Sequence, residues 1–419
     1  MSNLIITGKN KLFGSVEIEK SKNALLPIIA ASVLASSPVC LTEVPEFTDI
    51  SNMLNILSQM GATIHKNDKQ VVIDSSTICT TIIPAQLAKT LRASIFLLGP
   101  LLAKFGSARA SMPGGCNIGE RPIDIHLQGF TDLGISVSKT DSIVCDASGF
   151  VGGTVHLRFA SVGATENIIM CSVLAHLKTT TIKNCAKEPE IVDLCNFINK
   201  MGGKIYGAGT STIVIVGVKK LNGVSYKAIP DRIVTGTYML AAASCGGRVC
   251  LKNTIPQHNE SLITILVNLG CEVTYDSDNI YISSNGVLGC SSCNISTGVY
   301  PMFATDMQSQ TMALLGACNG VHTITENLFE ARFNHVAELV KMGANISING
   351  NTATVYGKTN CYNGAQVVSY DLRGGASLVI AGLMANGQTV IKNAELIYRG
   401  YFNLQQKLTL LGANIHKED

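Results

Sequence analysis

The chain has 419 residues, 46% of them hydrophobic and 15% charged, with 39 Gly, 11 Pro and no Trp. That apolar share supports large cores and excludes disordered and fibrous classes, and the length predicts two or three domains or one repeat architecture. Lys+Arg 32 against Asp+Glu 29 gives a net charge of +3 without a long run of one sign. A nucleic-acid partner needs a concentrated basic face, so a small anionic ligand met by a few placed cations fits better.

The opening MSNLIITGKNKLFGSVEIEK lacks the basic and apolar regions of a signal peptide. The 14 cysteines are scattered rather than framed for disulfides, which predicts reduced, mostly buried thiols in a cytoplasmic protein. One CxxC, Cys290 to Cys293, has no second pair at zinc-ribbon spacing, so no metal and no cofactor is expected there. The apolar stretch from Asn23 to Leu41 is interrupted by Pro27 and Pro38 and reads as a buried helix, not a membrane span.

Taken in chain order, the predicted elements repeat. Apolar, Ala-rich helices run NALLPIIAASVLA, ASIFLLGPLLAKFG, ATENIIMCSVLAHL, TGTYMLAAASCGG, DMQSQTMALLGACNG and GASLVIAGLMANG, each followed by a short β-rich segment such as TTTIKNC or GRVCLKNT. An apolar residue, a Gly, a small residue and a strand start recur at Gly61, Gly134, Gly202, Gly270, Gly343 and Gly412, a step of roughly seventy residues. Each copy therefore predicts an apolar helix, a strand, an amphipathic helix closed by Gly, and a hairpin. A helix apolar all round must be buried, with the sheets outside it. Six copies suggest two lobes of three, residues 22–230 and residues 1–21 plus 231–419, with the ligand in the cleft between them. The strand before Lys22 is left over and completes the last copy.

No glycine-rich phosphate loop of either common type is present, so bound phosphate must be held by side-chain cations. The stretch SMPGGCNIGERPIDIH, Ser111 to His126, reads as a lid loop, with Cys116 among Gly114, Gly115 and Gly119. A thiol there can serve as acid, nucleophile or redox sensor, against the plainer reading of a buried turn cysteine. Lys22, Arg92, Arg332, Arg373 and Arg399 stand singly in apolar surroundings near element starts. Each alone reads as an ion pair; recurring at one place in the repeat, they read as a funnel for a polyanion. Asp306 opens the fifth apolar helix as either a reactive carboxylate or an N-cap, and Asp231, Asp371 and Glu188 have cap, ion-pair or hinge readings.

The sequence resembles the UDP-N-acetylglucosamine 1-carboxyvinyltransferases, enolpyruvyl transferases related to EPSP synthase, along its whole length. The resemblance rests on KNALLP, LRAS, PGGCNIGERPIDIH, SVGATEN, EPEIVD, PDRI, PMFATDMQ, ARFNHVAEL, DLR and RGY, in that order. It implies an α/β fold, a two-lobed inside-out α/β barrel built from six βαβαββ repeats. It also implies transfer of the enolpyruvyl group of phosphoenolpyruvate to the sugar 3′-hydroxyl.

Carried over residue by residue, the resemblance makes Cys116 the proton donor and Asp306 the acceptor of the hydroxyl proton, with Lys22 and Arg399 also catalytic. Phosphoenolpyruvate would be held by Lys22, Asn23, Arg121, Arg332, Arg373 and Arg399. The UDP-sugar would be held by Asn23, Arg92, Arg121, Pro122, Ile123, Asp124, Ile125, Ser161, Val162, Gly163, Asp306 and Leu328. Cys116 would also be the site alkylated by fosfomycin. Partners are thus the two substrates, with no nucleic acid or membrane, in a monomer or weak homo-oligomer. The sequence departs from the family pattern at Phe159-Ala160, Val234, Ala331, Leu396, Tyr398 and Phe402. Two other readings stay open: the sister enzyme acting on shikimate 3-phosphate, and a UDP-sugar-binding paralogue without turnover.

Overall fold

The computed structural model describes residues 2–111, 119, 122–290 and 292–418. They fall into two compact units, residues 20–111 with 122–229, and residues 2–19 with 119 and 230–418. Among the described residues each unit holds three inner helices. These are Lys22–Ala31, Leu98–Phe105 and Val162–Ser172 in the first, and Arg232–Cys245, Thr305–Ala317 and Leu372–Met384 in the second. Burial follows the all-round apolar pattern: every residue from Ile233 to Ser244 is buried.

Small sheets cover these helices, three to a unit. In the sheet following the fourth inner helix, Gly247–Lys252 pairs antiparallel with Asn279–Ser284 and parallel with Leu12–Glu17. The same pattern is built on Val39–Thr42, Thr179–Lys183, Gly320–Thr325 and Gln388–Lys392. The strand Asn3–Thr7 lies between Gln388–Lys392 and Asn414–Glu418, with Leu4 opposite both Ile391 and Lys417. The sheet of Ser107–Ser111, Ser142–Asp146 and Ser136–Lys139 has three strands, and an isolated parallel bridge, Ile82 to Arg109, stands where the others have a fourth.

The recurrent glycines close the outer helices as expected. Gly61, Gly134, Gly202, Gly270, Gly343 and Gly412 all have positive φ, between 85° and 111°. A Cβ would strain that conformation, which is why the residue after each outer helix is Gly. The hairpin strand begins two or three residues later.

One helix start differs from the sequence expectation. Arg92 opens a 3-10 segment, Arg92–Leu97, and the α-helix begins only at Leu98. The cause is Asn167. Its carboxamide lies between Ile95 and Gly99, donating from Nδ2 to the Ile95 carbonyl at 3.0 Å and accepting from the Gly99 N–H at 2.8 Å. It replaces the i→i+4 bond that would have continued the α-helix, and Pro100 has no N–H for the next.

Candidate active site

Within residues 20–229, the segments singled out in the sequence converge on Asn167. Its Nδ2 also donates to Nδ1 of His126, at 2.9 Å, which leaves His126 protonated on Nε2 when neutral. Asn167 therefore locks LRAS, the end of RPIDIH and SVGATEN together. Gly163 faces the same cluster: a Cβ there would lie 3.0 Å from His126 Cε1 and 3.1 Å from Phe96. Ser161 caps the helix behind it, accepting from the Ala164 N–H at 3.3 Å. Ser161, Val162 and Gly163 are half-buried at that helix start, where partial positive charge favours an anion.

Pro122 is exposed, Ile123 is buried, and Asp124 and Ile125 are half-buried. Asp124 forms an ion pair with Arg158, whose hydrogen bond holds the carboxyl below its usual range. Lys22 is the first residue of its helix, behind the Ser21 cap. Its Nζ lies 3.0 Å from Asp49 Oδ2, and both side chains are at least nine-tenths buried. Asn23 and Arg92 are half-buried. Asp49 was not anticipated; the clue is an acid in the first turn of the amphipathic helix Thr48–Gln59, on its buried face.

Behind SVGATEN, Glu166 is fully buried and its pKa is pushed well up, first by burial and then by the nearby charges of Glu190 and Glu188. Burial and the two neighbouring acids thus both favour its protonated form. Glu188 stands at the N-cap position of the Pro189–Lys200 helix without a side-chain cap bond.

Within the other unit, Asp306 is a first-turn residue rather than the N-cap, a position held by Ala304. Its carboxylate is clasped on both oxygens. Arg332 Nη2 donates to Oδ1 at 2.6 Å and Arg373 Nη2 donates to Oδ2 at 2.8 Å. The two arginine side chains are 4% exposed, whereas that of Asp306 is 28% exposed, so the carboxylate is the accessible member. Arg373 keeps its charge: burial is the largest influence and opposes it, but Asp306, Tyr401 and Asp231 together outweigh burial and push its pKa up.

Asp231 and Asp371 are helix caps. Asp231 accepts from the Ile233 and Val234 N–H groups at 2.9 and 3.0 Å, and Asp371 from those of Arg373 and Gly374 at 2.9 Å each. Arg399 ends a 3-10 segment, Ala394–Arg399, half-buried. Leu328 is held through Glu326, which sequence reasoning missed. Glu326 Oε1 accepts from Thr297 Oγ1 and the Leu328 N–H, each at 2.9 Å, and Oε2 from Thr305 Oγ1 at 2.8 Å. It thereby ties the Leu328 loop to the start of the Asp306 helix.

Cys116 and Arg121 lie outside the described residues. Cys290 donates from Sγ to the Ser292 carbonyl at 3.1 Å, and no grouping of His, Cys, Asp and Glu suited to a metal ion occurs among the described residues. No helix among them is long and apolar enough to cross a membrane.

The chain is similar to known proteins along nearly its whole length. The EPSP synthase family, 3-phosphoshikimate 1-carboxyvinyltransferase, matches residues 6–408. The UDP-N-acetylglucosamine 1-carboxyvinyltransferase 2 of Carboxydothermus hydrogenoformans is 47% identical over 420 residues, covering 100% of this chain and 99% of its own. The UDP-N-acetylglucosamine 1-carboxyvinyltransferase 1 of Staphylococcus aureus is 45% identical over 422 residues, covering 100% and 99%. The enolpyruvyl transferase NikO from Streptomyces tendae superposes with a TM-score of 0.89 at 23% identity, covering 99% of this chain and 98% of its own. EPSP synthase from Acinetobacter baumannii superposes at 0.78 and 18% identity, covering 100% of both. These last two likenesses establish the inside-out α/β fold. The chain belongs to the EPSP synthase family and, within it, to the UDP-N-acetylglucosamine 1-carboxyvinyltransferases.

Proposed function

We propose that this protein transfers the enolpyruvyl group of phosphoenolpyruvate to the 3′-hydroxyl of UDP-N-acetylglucosamine, releasing phosphate. The reaction is the first committed step of peptidoglycan precursor synthesis, in the cytoplasm, and so serves cell-wall growth and division. The observation that carries the reading is the Asp306 carboxylate, accessible and clasped by two buried arginines. Full-length relatives at 45% and 47% identity, named for this reaction, support the choice of acceptor.

In this reading Lys22, Arg121 and Arg399 receive the phosphate of phosphoenolpyruvate, and Arg332 and Arg373 its carboxylate, with Asn23 beside that substrate. Arg92, Arg121, Pro122 to Ile125 and Ser161 to Gly163 hold the uridine diphosphate, while Asn23 and Leu328 border the sugar. The Cys116 thiol gives its proton to the substrate methylene carbon, making a methyl group and a cationic centre at C2. The 3′-hydroxyl oxygen bonds to that centre as its proton passes to Asp306. The tetrahedral intermediate then returns a methyl proton to the Cys116 thiolate as the bond from C2 to the phosphate oxygen breaks, restoring the double bond, and the departing phosphate takes the proton from Asp306.

A carboxylate held by two guanidinium groups is a weak base. Arrival of the substrate carboxylate on Arg332 and Arg373 takes up those N–H groups and frees Asp306 for the hydroxyl proton. The charge on Asp306 and its role as base are thus separated in time.

The reading predicts that fosfomycin adds covalently to Cys116 in the presence of UDP-N-acetylglucosamine. Intact-mass and peptide mapping should find one adduct, on the peptide containing Cys116, and none in Cys116→Ala. An unmodified protein under those conditions contradicts the assignment of Cys116.

A further inference from the structure

Arg373 is buried to 3% exposure, yet its Nε and Nη1 find no hydrogen-bond partner among the described residues. Within the described residues, Nη2 is the one guanidinium nitrogen with a partner, on Asp306. If the substrate carboxylate displaces Asp306, that bond is lost as well, and a flexible side chain must be kept aimed by something else. The ring of Tyr401 meets that need. The Arg373 Cζ lies 5.5 Å from the Tyr401 ring centroid, within cation–π range.

The ring is itself fixed. Tyr401 is 1% exposed, and its hydroxyl lies 2.9 Å from Thr237 Oγ1 and 3.0 Å from Gln310 Nε2. The Thr237 hydroxyl donates to the Ile233 carbonyl at 2.9 Å, so its oxygen is left to accept from Tyr401, and the Tyr401 oxygen accepts from the Gln310 amide. Thr237 and Gln310 belong to the inner helices Arg232–Cys245 and Thr305–Ala317, and Arg373 to Leu372–Met384. One side chain thus references the three inner helices described for its unit. On its other side, the next residue, Phe402, donates its N–H to Glu19 Oε1 at 3.0 Å. Arg332 has a similar backing, its Cζ lying 5.8 Å from the Phe329 ring centroid.

We propose that Tyr401 is a positioning residue whose ring is a fixed floor for the Arg373 guanidinium, holding one N–H edge in place while its partner changes from Asp306 to the substrate carboxylate. The inference rests on the proposed reaction for its kinetic consequence but not for its structural one.

Two variants separate the ring from the hydroxyl. Tyr401→Leu removes the floor, and its KM for phosphoenolpyruvate should rise about tenfold, the scale of one desolvated cation–π contact, with a smaller change in the KM for the UDP-sugar. Tyr401→Phe keeps the floor and should stay within about threefold of wild type. In the ligand-free protein, the nitrogen-15-resolved Nε–H resonance of Arg373 should be shifted by the ring current in wild type and Tyr401→Phe, and lose that shift in Tyr401→Leu. An unchanged KM or an unchanged Arg373 resonance in Tyr401→Leu overturns the proposal. Equal impairment of both variants, with both substrates' KM values rising together, also overturns it in favour of general fold support. Should wild type release no phosphate, the reaction assignment falls while the resonance still judges the positioning role.

Discussion

The Asn167 carboxamide and the His126 imidazole meet at 2.9 Å in a buried contact that fixes three candidate binding segments against one another. Asn167 spends its remaining N–H on the Ile95 carbonyl and its oxygen on the Gly99 N–H. Asn167→Ala takes the acceptor from the buried Gly99 N–H and one donor each from His126 and from the Ile95 carbonyl, which keeps the Leu98 N–H, and leaving a buried polar group unpaired costs about 1–3 kcal/mol. The variant should lose about 3 kcal/mol in urea denaturation, allowing for partial relaxation. A Cβ at Gly99 would run into the Asn167 backbone, so Gly99→Ala should be destabilised by a similar amount. Unaltered urea midpoints in both would contradict this account of the helix start.

Asp306 separates chemistry from stability. Asp306→Ala should lower kcat by at least about a hundredfold, the low end for loss of a general base. It should also cost about 2 kcal/mol, because two buried guanidinium groups lose their anion, with a discount for the partial exposure of Asp306. Phosphate release at the wild-type rate from a folded variant would remove Asp306 from the mechanism.

The repeat was legible because two periodic signals agreed. An apolar helix with no polar face can only be buried, and a Gly at the close of each outer helix marks a backbone that needs positive φ. The positions of Asp306 and Arg373 at inner-helix starts were legible for the same reason, but their mutual contact was not. Nothing in the spacing of residues 306, 332 and 373 says that both arginines reach one carboxylate. Asn167 was missed as an organiser because two of its three partners are backbone groups, of Ile95 and Gly99, which leave no side-chain signature. Tyr401 was visible only as part of a motif, since a buried ring beneath an arginine depends on three helices converging.

A pH effect follows from His335. Burial lowers its pKa from 6.5 to about 4, with Asp371 opposing and Arg332 reinforcing the shift. The folded protein therefore refuses a proton that the unfolded chain accepts. This group costs nothing above pH 6.5, and stability falls as the pH drops from 6.5 towards 4, by up to about 3 kcal/mol. Urea midpoints of wild type and His335→Asn, compared at pH 8 and pH 5, should show the smaller decline in the variant. Equal declines would refute the assignment.

The thiols sort by burial. Burial pushes the Cys145 thiol up to about 11 and that of Cys195 up to about 12, and Cys171 and Cys318 are raised as well. Cys79 is exposed. With iodoacetamide at neutral pH, Cys79 should be modified first among the described cysteines, and Cys171, Cys195 and Cys318 only on denaturation. Early labelling of those three would show that the inner helices open readily.

Phosphate release identifies the two substrates in one assay. Phosphoenolpyruvate is supplied with UDP-N-acetylglucosamine, with shikimate 3-phosphate, or with neither acceptor. Release should occur with the UDP-sugar alone and be lost in Cys116→Ala. Release only with shikimate 3-phosphate would keep the fold and contradict the acceptor, and silence with both acceptors would contradict the reaction itself.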